Sequence, residues 1–229
     1  MWFRRDLRLE DNAALAAARA RHAQVFCVFV FDRSILDPLR DPANPYAEPA
    51  DRRVAFIHAS VAELDARLRA LGGGLIVRHA VAADEIARLA QALDVSAVYA
   101  NQDPEPAALA RDARVASALH AQGRAWACGK DQVIFAHREV LTQAGSFYTV
   151  FTPYKNAWLK QLRPEHLAPH DSLGSGAGRA RFAPPPNLPA PSRRRSTGCS
   201  RSRTVSPRST GVRAGLLRSA ITDSRRTSR

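Results

Sequence analysis

Three short apolar runs, each followed by a stretch with helical spacing, restrict this chain to very few architectures. The runs "QVFCVFVF" (24–31), "LIVRHA" (75–80) and "VSAVYAN" (95–101) are rich in β-branched and aromatic residues. That composition suits strands buried on both faces. "GRAWAC" (123–128) reads as a shorter fourth. Between the runs lie helices. Asp11 and Asn12 can cap "AALAAARARH". Residues 52–71 carry apolar side chains near 3.6 spacing and stop at Gly72-Gly73-Gly74. Residues 82–93 form a third helix, and 104–123 open on prolines and end at Gly123. Strand alternating with helix predicts a parallel sheet with crossover helices. The expected fold is α/β: a doubly wound, Rossmann-like parallel sheet with helices on both faces.

One strand is short. A helix capped at Asp11-Asn12 needs a strand to feed it, and only Met1-Trp2-Phe3 precede the charged turn. Central strands usually run about 5–6 residues. The expectation is a sheet with a weak centre, or a start codon assigned late.

Composition divides the chain. Residues 1–130 form the α/β domain, 131–165 a connector, and 166–229 a tail rich first in Pro and Gly and then in Arg and Ser. The tail lacks the apolar periodicity to offset chain entropy, so it is expected to be disordered. It also dominates the charge. Of a net +13, residues 190–229 hold 11 Arg against one acid, Asp223, while residues 1–189 hold 23 Lys+Arg against 20 Asp+Glu. Non-specific binding of nucleic acid through the tail is the expected physical consequence.

Several chemistries find no support. The seven His are scattered and, like Cys27, Cys128 and Cys199, share no metal-ligand spacing. No catalytic constellation and no metal site are expected. The glycine triplet follows a helix and precedes a strand, the reverse of a phosphate loop. No run approaches a membrane span, and "MWFRRDLRLEDN" is not a signal peptide. A cytoplasmic protein without a membrane partner is the expectation.

Four segments carry a resemblance: "WFRRDLRLEDNAAL" (2–15), "VFVFDRSIL" (28–36), "YANQDPEPAALARDARV" (99–115) and "YTVFTPYKNAWLKQL" (148–162). In order and content they resemble the N-terminal domain of the DNA photolyase/cryptochrome family. The resemblance implies a two-part enzyme, a carbon–carbon lyase. An α/β domain holds a light-harvesting antenna pigment. A larger helical domain holds FAD, binds damaged DNA and splits cyclobutane pyrimidine dimers with light. The segment 151–159 resembles the lead into that second domain, which the Arg/Ser tail cannot supply. The expectation is a chain truncated or frameshifted near residues 175–195, monomeric or aggregation-prone, with Val150, Phe151, Tyr154 and Trp158 left in solvent. Alone it would bind pigment without repairing DNA.

The candidate site lies at the carboxyl ends of the strands, where open α/β sheets bind ligands. Arg4, Arg5, Asp6 and Arg8 make ion pairs and caps there, or touch the pigment. Asp103 and Glu105 either complement the amino end of the next helix or accept hydrogen bonds from a flavin-like ring. The family's deazaflavin users carry a similar N-Q-D-x-E-P loop, although Pro104 departs from the usual bulky residue. Phe29, Phe31 and Asp32 end a strand where a flat ring could stack, or are core aromatics and a turn. By resemblance Arg53 faces the pigment, with Arg52 its substitute. The folate-using branch has an Asn-Glu pair where this chain has Ala107 and Ala108. The resemblance therefore implies a flavin or deazaflavin antenna rather than methenyltetrahydrofolate. Two other readings stay open: a stand-alone nucleotide-binding α/β module, and a fragment of a cryptochrome-type photosensor.

Overall fold

The predicted alternation folds as its spacing requires. The computed structural model describes residues 1–40, 51–174 and 180–189. In chain order its elements are β1 (Trp2–Phe3), α1 (Ala13–Arg21), β2 (Gln24–Val25), β3 (Cys27–Asp32), α2 (Arg33–Leu36), α3 (Arg52–Ala70), β4 (Leu75–Ala80), α4 (Ala82–Ala92), β5 (Ala97–Asn101), α5 (Pro106–Ala121), β6 (Ala125–Gly129), α6 (Phe151–Gln161) and β7 (Arg181–Phe182). Parallel pairing joins β1, β3 and β4 in one sheet and β5 with β6 in another. β1 packs beside β5 without entering its ladder. The lateral order is therefore β4-β3-β1-β5-β6, the doubly wound arrangement.

Alternation along the strands builds two cores. Phe3, Cys27 and Phe29 face the first, with Leu15 and Ala18 of α1 and Val61, Leu64 and Leu68 of α3. Trp2, Val28, Val30, Ile76 and Val98 face the second, with Ile86 and Leu89 of α4 and Val115 and Leu119 of α5. Helices thus cover both faces. Each fully buried leucine contributes roughly 1.5–3 kcal/mol relative to exposure.

Several expectations need correction. The run 24–31 is two strands. β2 turns away to pair with β7, and β3 continues to Asp32 between β1 and β4. β1 holds two residues in its ladder, although Met1 extends the pairing. The Met1 carbonyl accepts from Val28 N at 2.9 Å, and its ammonium donates to Phe26 O at 2.7 Å. Asn12, not Asp11, is the N-cap residue of α1, accepting from Leu15 N, while Asp11 takes φ 46°.

The described residues of 166–189 pack against the α/β domain and fall within the compact unit of residues 1–192. His170 N donates to Asp11 Oδ1 at 2.7 Å. The buried Arg19 guanidinium donates to Ser172 O at 2.6 Å and Ala180 O at 3.1 Å, and lies 4.7 Å over the Phe182 ring. Phe182 enters the first core. A Cβ on Gly73 would sit 2.4 Å from Phe182 Cβ, and one on Gly74 would sit 2.6 Å from Pro185 Cδ. The last two glycines of the triplet therefore make room for this strap, while Gly72, at φ 80°, turns the chain out of α3. The disorder expected at 175–179 and 190–229 lies outside the described residues.

The connector contains α6. Val150, Phe151 and Tyr154 are exposed as expected. Trp158 is not: it is half-buried, edge-on to Phe135 at 5.4 Å.

Candidate functional site

The loop after β1 lies at the carboxyl ends of the strands and is held by a buried polar network. Arg4 Nη1 donates to both oxygens of Asp112 at 2.7 Å, and its Nη2 bonds Asn101 O. Asp6 accepts from Arg4 N at 2.8 Å, from Asn101 Nδ2 at 2.6 Å and from Asn12 Nδ2 at 3.3 Å. The reading of Arg4 and Asp6 as ion pair and loop fastener is what the structure shows.

The same network closes the amino end of α1. Ala13 N donates to Asp131, Ala14 N to Asn101 and Leu15 N to Asn12, at 2.9, 2.9 and 3.0 Å. These N–H groups are where a nucleotide phosphate would bind in a dinucleotide fold. Side chains already satisfy them. Asp131 and Asn101 come from distant strand ends, so the sequence does not show that they meet α1.

The six expected site residues divide. Phe29 is a core aromatic, edge-on to Phe31 at 4.9 Å. Phe31 is half-buried at the lip of the first core and stacks on His58 at 6.1 Å. Asp32 Oδ1 accepts from Ser34 N at 3.0 Å, Ser34 Oγ at 2.8 Å and Ala82 N at 3.3 Å, so it caps α2 and fastens the start of α4. Arg53 pairs with Asp51, the α3 cap, at 2.6 Å. That hydrogen bond holds the Asp51 carboxyl below its usual range and relieves the cation's disfavoured place at a helix start. Asp103 and Glu105 do come together, through Arg5. Arg5 Nη1 lies 2.5 Å from Glu105 and 3.8 Å from Asp103. Glu105, by its hydrogen bond, and then Asp103 raise the Arg5 pKa.

Arg5 also lines a cleft of about 340 Å³ between the β1–α1 loop and α3. From α3 come Phe56, Ser60, Glu63 and Arg67, and from the loop Arg5, Asp6, Leu7 and Arg8. Phe56 is 73% exposed. Arg8 is oriented by Asp131 at 2.7 Å, and Arg67 by a short bond to Glu10, whose pKa that bond lowers. Sequence reading missed the α3 contribution, although its signal was present. Positions 56, 60, 63 and 67 share one helical face, beside the core stripe 57, 61, 64 and 68.

Chemically the cleft offers one open aromatic face, three fixed guanidiniums, a hydroxyl and two carboxylates. Among the described residues no group of His, Cys, Asp and Glu could hold a metal. The arrangement suits capture of a flat, polar, anionic molecule.

Fold and cleft together define a doubly wound α/β domain with a concavity at its strand ends. The comparisons give its kinship. The DNA photolyase family model matches residues 1–172, and the chain belongs to that family. It is 37% identical over 167 residues to a deoxyribodipyrimidine photo-lyase of Synechococcus sp., covering 73% of this chain and 33% of the relative. The chain thus spans about a third of that relative's length. The crystal structure of a class III photolyase from Agrobacterium tumefaciens matches with a TM-score of 0.64 and 26% identity, covering 84% of this chain and 36% of that one. A photolyase from Sulfolobus tokodaii, described with two FAD molecules and the implication of a novel light-harvesting cofactor, matches with a TM-score of 0.50 and 30% identity, covering 60% and 31%.

Proposed function

We propose that this chain is the light-harvesting-pigment domain of a deoxyribodipyrimidine photolyase, and that its α3 cleft binds a flavin or deazaflavin antenna. The observation that carries this reading is the exposed Phe56 ring beside Arg5, inside a concavity at the strand ends. When bound, such a pigment supplies light absorption and passes excitation to the FAD of the family's second domain. The residues of this chain bind and orient. Phe56 stacks on the ring, Arg5, Arg8 and Arg67 attract its anionic parts, and the Arg5–Glu105–Asp103 cluster fixes one wall. Phe31 packs on His58 and so supports α3, the helix of the other wall. In this reading Phe29, Asp32 and Arg53 act indirectly, through the core and the helix starts. The folate alternative is disfavoured by Ala107 and by Ala108, which is buried on α5. The nucleotide-module alternative is disfavoured because the amino end of α1 is taken by side chains.

For the whole protein the partner would be damaged DNA, with non-specific nucleic-acid contact through the arginines of 190–229 a secondary property. The test is a titration of the purified chain with flavin mononucleotide, read by quenching of flavin fluorescence. Saturable quenching is expected, weakened about tenfold by Phe56→Ala, the scale of one aromatic stacking contact. No quenching, or equal quenching by the variant, would overturn this assignment.

A further inference from the structure

The β1–α1 loop forms one wall of the α3 cleft, and the bend that ends it, at residues 9–12, holds two of the cleft's guanidiniums. Asp11 O accepts from Arg8 Nη2 at 2.7 Å, and Glu10 reaches across to Arg67 on α3. Asp11 takes φ 46°, in the left-handed region that residues other than glycine seldom adopt. A bend of this kind persists only where its surroundings fasten it.

The strap supplies the fastening. The Ser172 hydroxyl donates to Leu9 O and accepts from Asn12 N at 3.3 Å. A simple β-turn would join those two backbone groups to each other. Here the hydroxyl stands between them. His170 N adds a second fastener, donating to Asp11 Oδ1 at 2.7 Å. Ser172 is held in its turn. Its carbonyl accepts from the buried Arg19 guanidinium at 2.6 Å, and its N–H donates to His170 O at 2.8 Å. Direct hydrogen bonds thus run from the strap through the bend to Arg8 and Arg67.

We propose that Ser172 is a positioning residue of the pigment cleft, setting the places of Arg8 and Arg67 through the bend at 9–12. This rests on the reading of that cleft as the pigment site. Ser172 is 1% exposed and does not line the cleft, so it acts only through the loop. The position needs a hydroxyl, because one group must donate to a carbonyl and accept from an amide at once. Alanine can do neither, and Leu9 O and Asn12 N would be left buried without partners. The bend would then relax, drawing Asp11 O from Arg8 and Glu10 from Arg67. The cleft would lose the preorganised pair of cations that meets the anionic part of the pigment.

The test compares the 229-residue chain with three variants. Ser172→Ala removes the hydroxyl. Asp11→Gly removes the second fastener and adopts the bend freely. Ile86→Val, in the second core on the other face of the sheet, controls for loss of stability alone. The readouts are affinity for flavin mononucleotide and, without ligand, the nuclear magnetic resonance signals of the Arg8 and Arg67 guanidiniums. Ser172→Ala should bind about tenfold more weakly, the scale of one charge-assisted contact. Its Arg8 and Arg67 signals should move. Asp11→Gly should act in the same direction, and Ile86→Val should change neither readout. No binding by the native chain would overturn the pigment reading, and with it the pigment role of Ser172. Native binding that Ser172→Ala and Asp11→Gly leave unchanged, unmoved guanidinium signals in both, or equal weakening in Ile86→Val would overturn this inference alone.

Discussion

Arg4 and Asp112, 108 positions apart, meet as a two-pronged pair at 2.7 Å between the β1 loop and α5. Their side chains are 7% and 9% exposed. Arg111 joins from the next position at 3.0 Å, and both guanidiniums lie over the Trp2 ring, at 4.9 and 5.1 Å. Removing the carboxylate would leave buried cations without their partner. Asp112→Ala should destabilise the domain by about 3–5 kcal/mol. Replacing Arg4 and Asp112 together by apolar residues of similar size should cost less than the single change. Urea denaturation of the three variants checks the order, and a double variant as weak as Asp112→Ala would contradict it.

Arg19 fastens the strap across α1. Arg19→Ala deletes its hydrogen bonds to Ser172 O and Ala180 O and its cover of Phe182. A loss of about 1–3 kcal/mol is expected from buried carbonyls left unpaired. The strap should also open. Arg181 is exposed but pinned in β7. Trypsin should therefore cut after Arg181 faster in the variant than in the native chain, and equal cleavage rates would show that Arg19 does not hold the strap.

Why some of this was legible in the sequence, and some was not, follows from the range of the interactions. Strands such as 75–80 and helices such as 82–92 announce themselves locally, through apolar periodicity and glycine stops. The strap does not. Its Pro-, Gly- and Ala-rich stretch carries no period, and it is anchored by Arg19, more than 150 positions earlier. The candidate cleft lies at the strand ends where the sequence pointed, but its α3 residues were not legible. The loops at the strand ends were identified, and Asp103 with Glu105 do form a cluster. Asp32 and Arg53 carry the right chemistry but serve their own helix starts. Phe56 and Arg67 belong to a second stripe of α3, which looks like an ordinary solvated face until the β1 loop is seen beside it.

Cys27 gives a pH signature. Burial raises its thiol from 9.0 to about 11. The folded chain keeps this proton where the unfolded chain has lost it, so the unfolded state binds fewer protons between those values and stability falls as pH rises. The loss is complete above pH 11 and amounts to roughly 3 kcal/mol. It should be absent in Cys27→Ala. Denaturant unfolding of both proteins at pH 8 and at pH 11 measures the difference. A parallel decline in both would contradict a protonated, buried thiol.

The α6 region exposes Phe147, Val150, Phe151 and Tyr154. An apolar cluster of this kind promotes association. Phe151→Glu, at a position 72% exposed in the first turn of α6, should lower self-association without lowering the melting temperature. Light scattering at rising concentration measures this, and unchanged association would move the sticky surface elsewhere.

The most direct test of the central claim is where a flavin ring lies when bound. Nuclear magnetic resonance of the chain with flavin mononucleotide can detect contacts between ring protons of the ligand and of Phe56. The account predicts those contacts, together with shifts in the Arg5 guanidinium signals. Ligand contacts confined to another surface, or none at saturating flavin, would contradict the assignment of the α3 cleft as the pigment site.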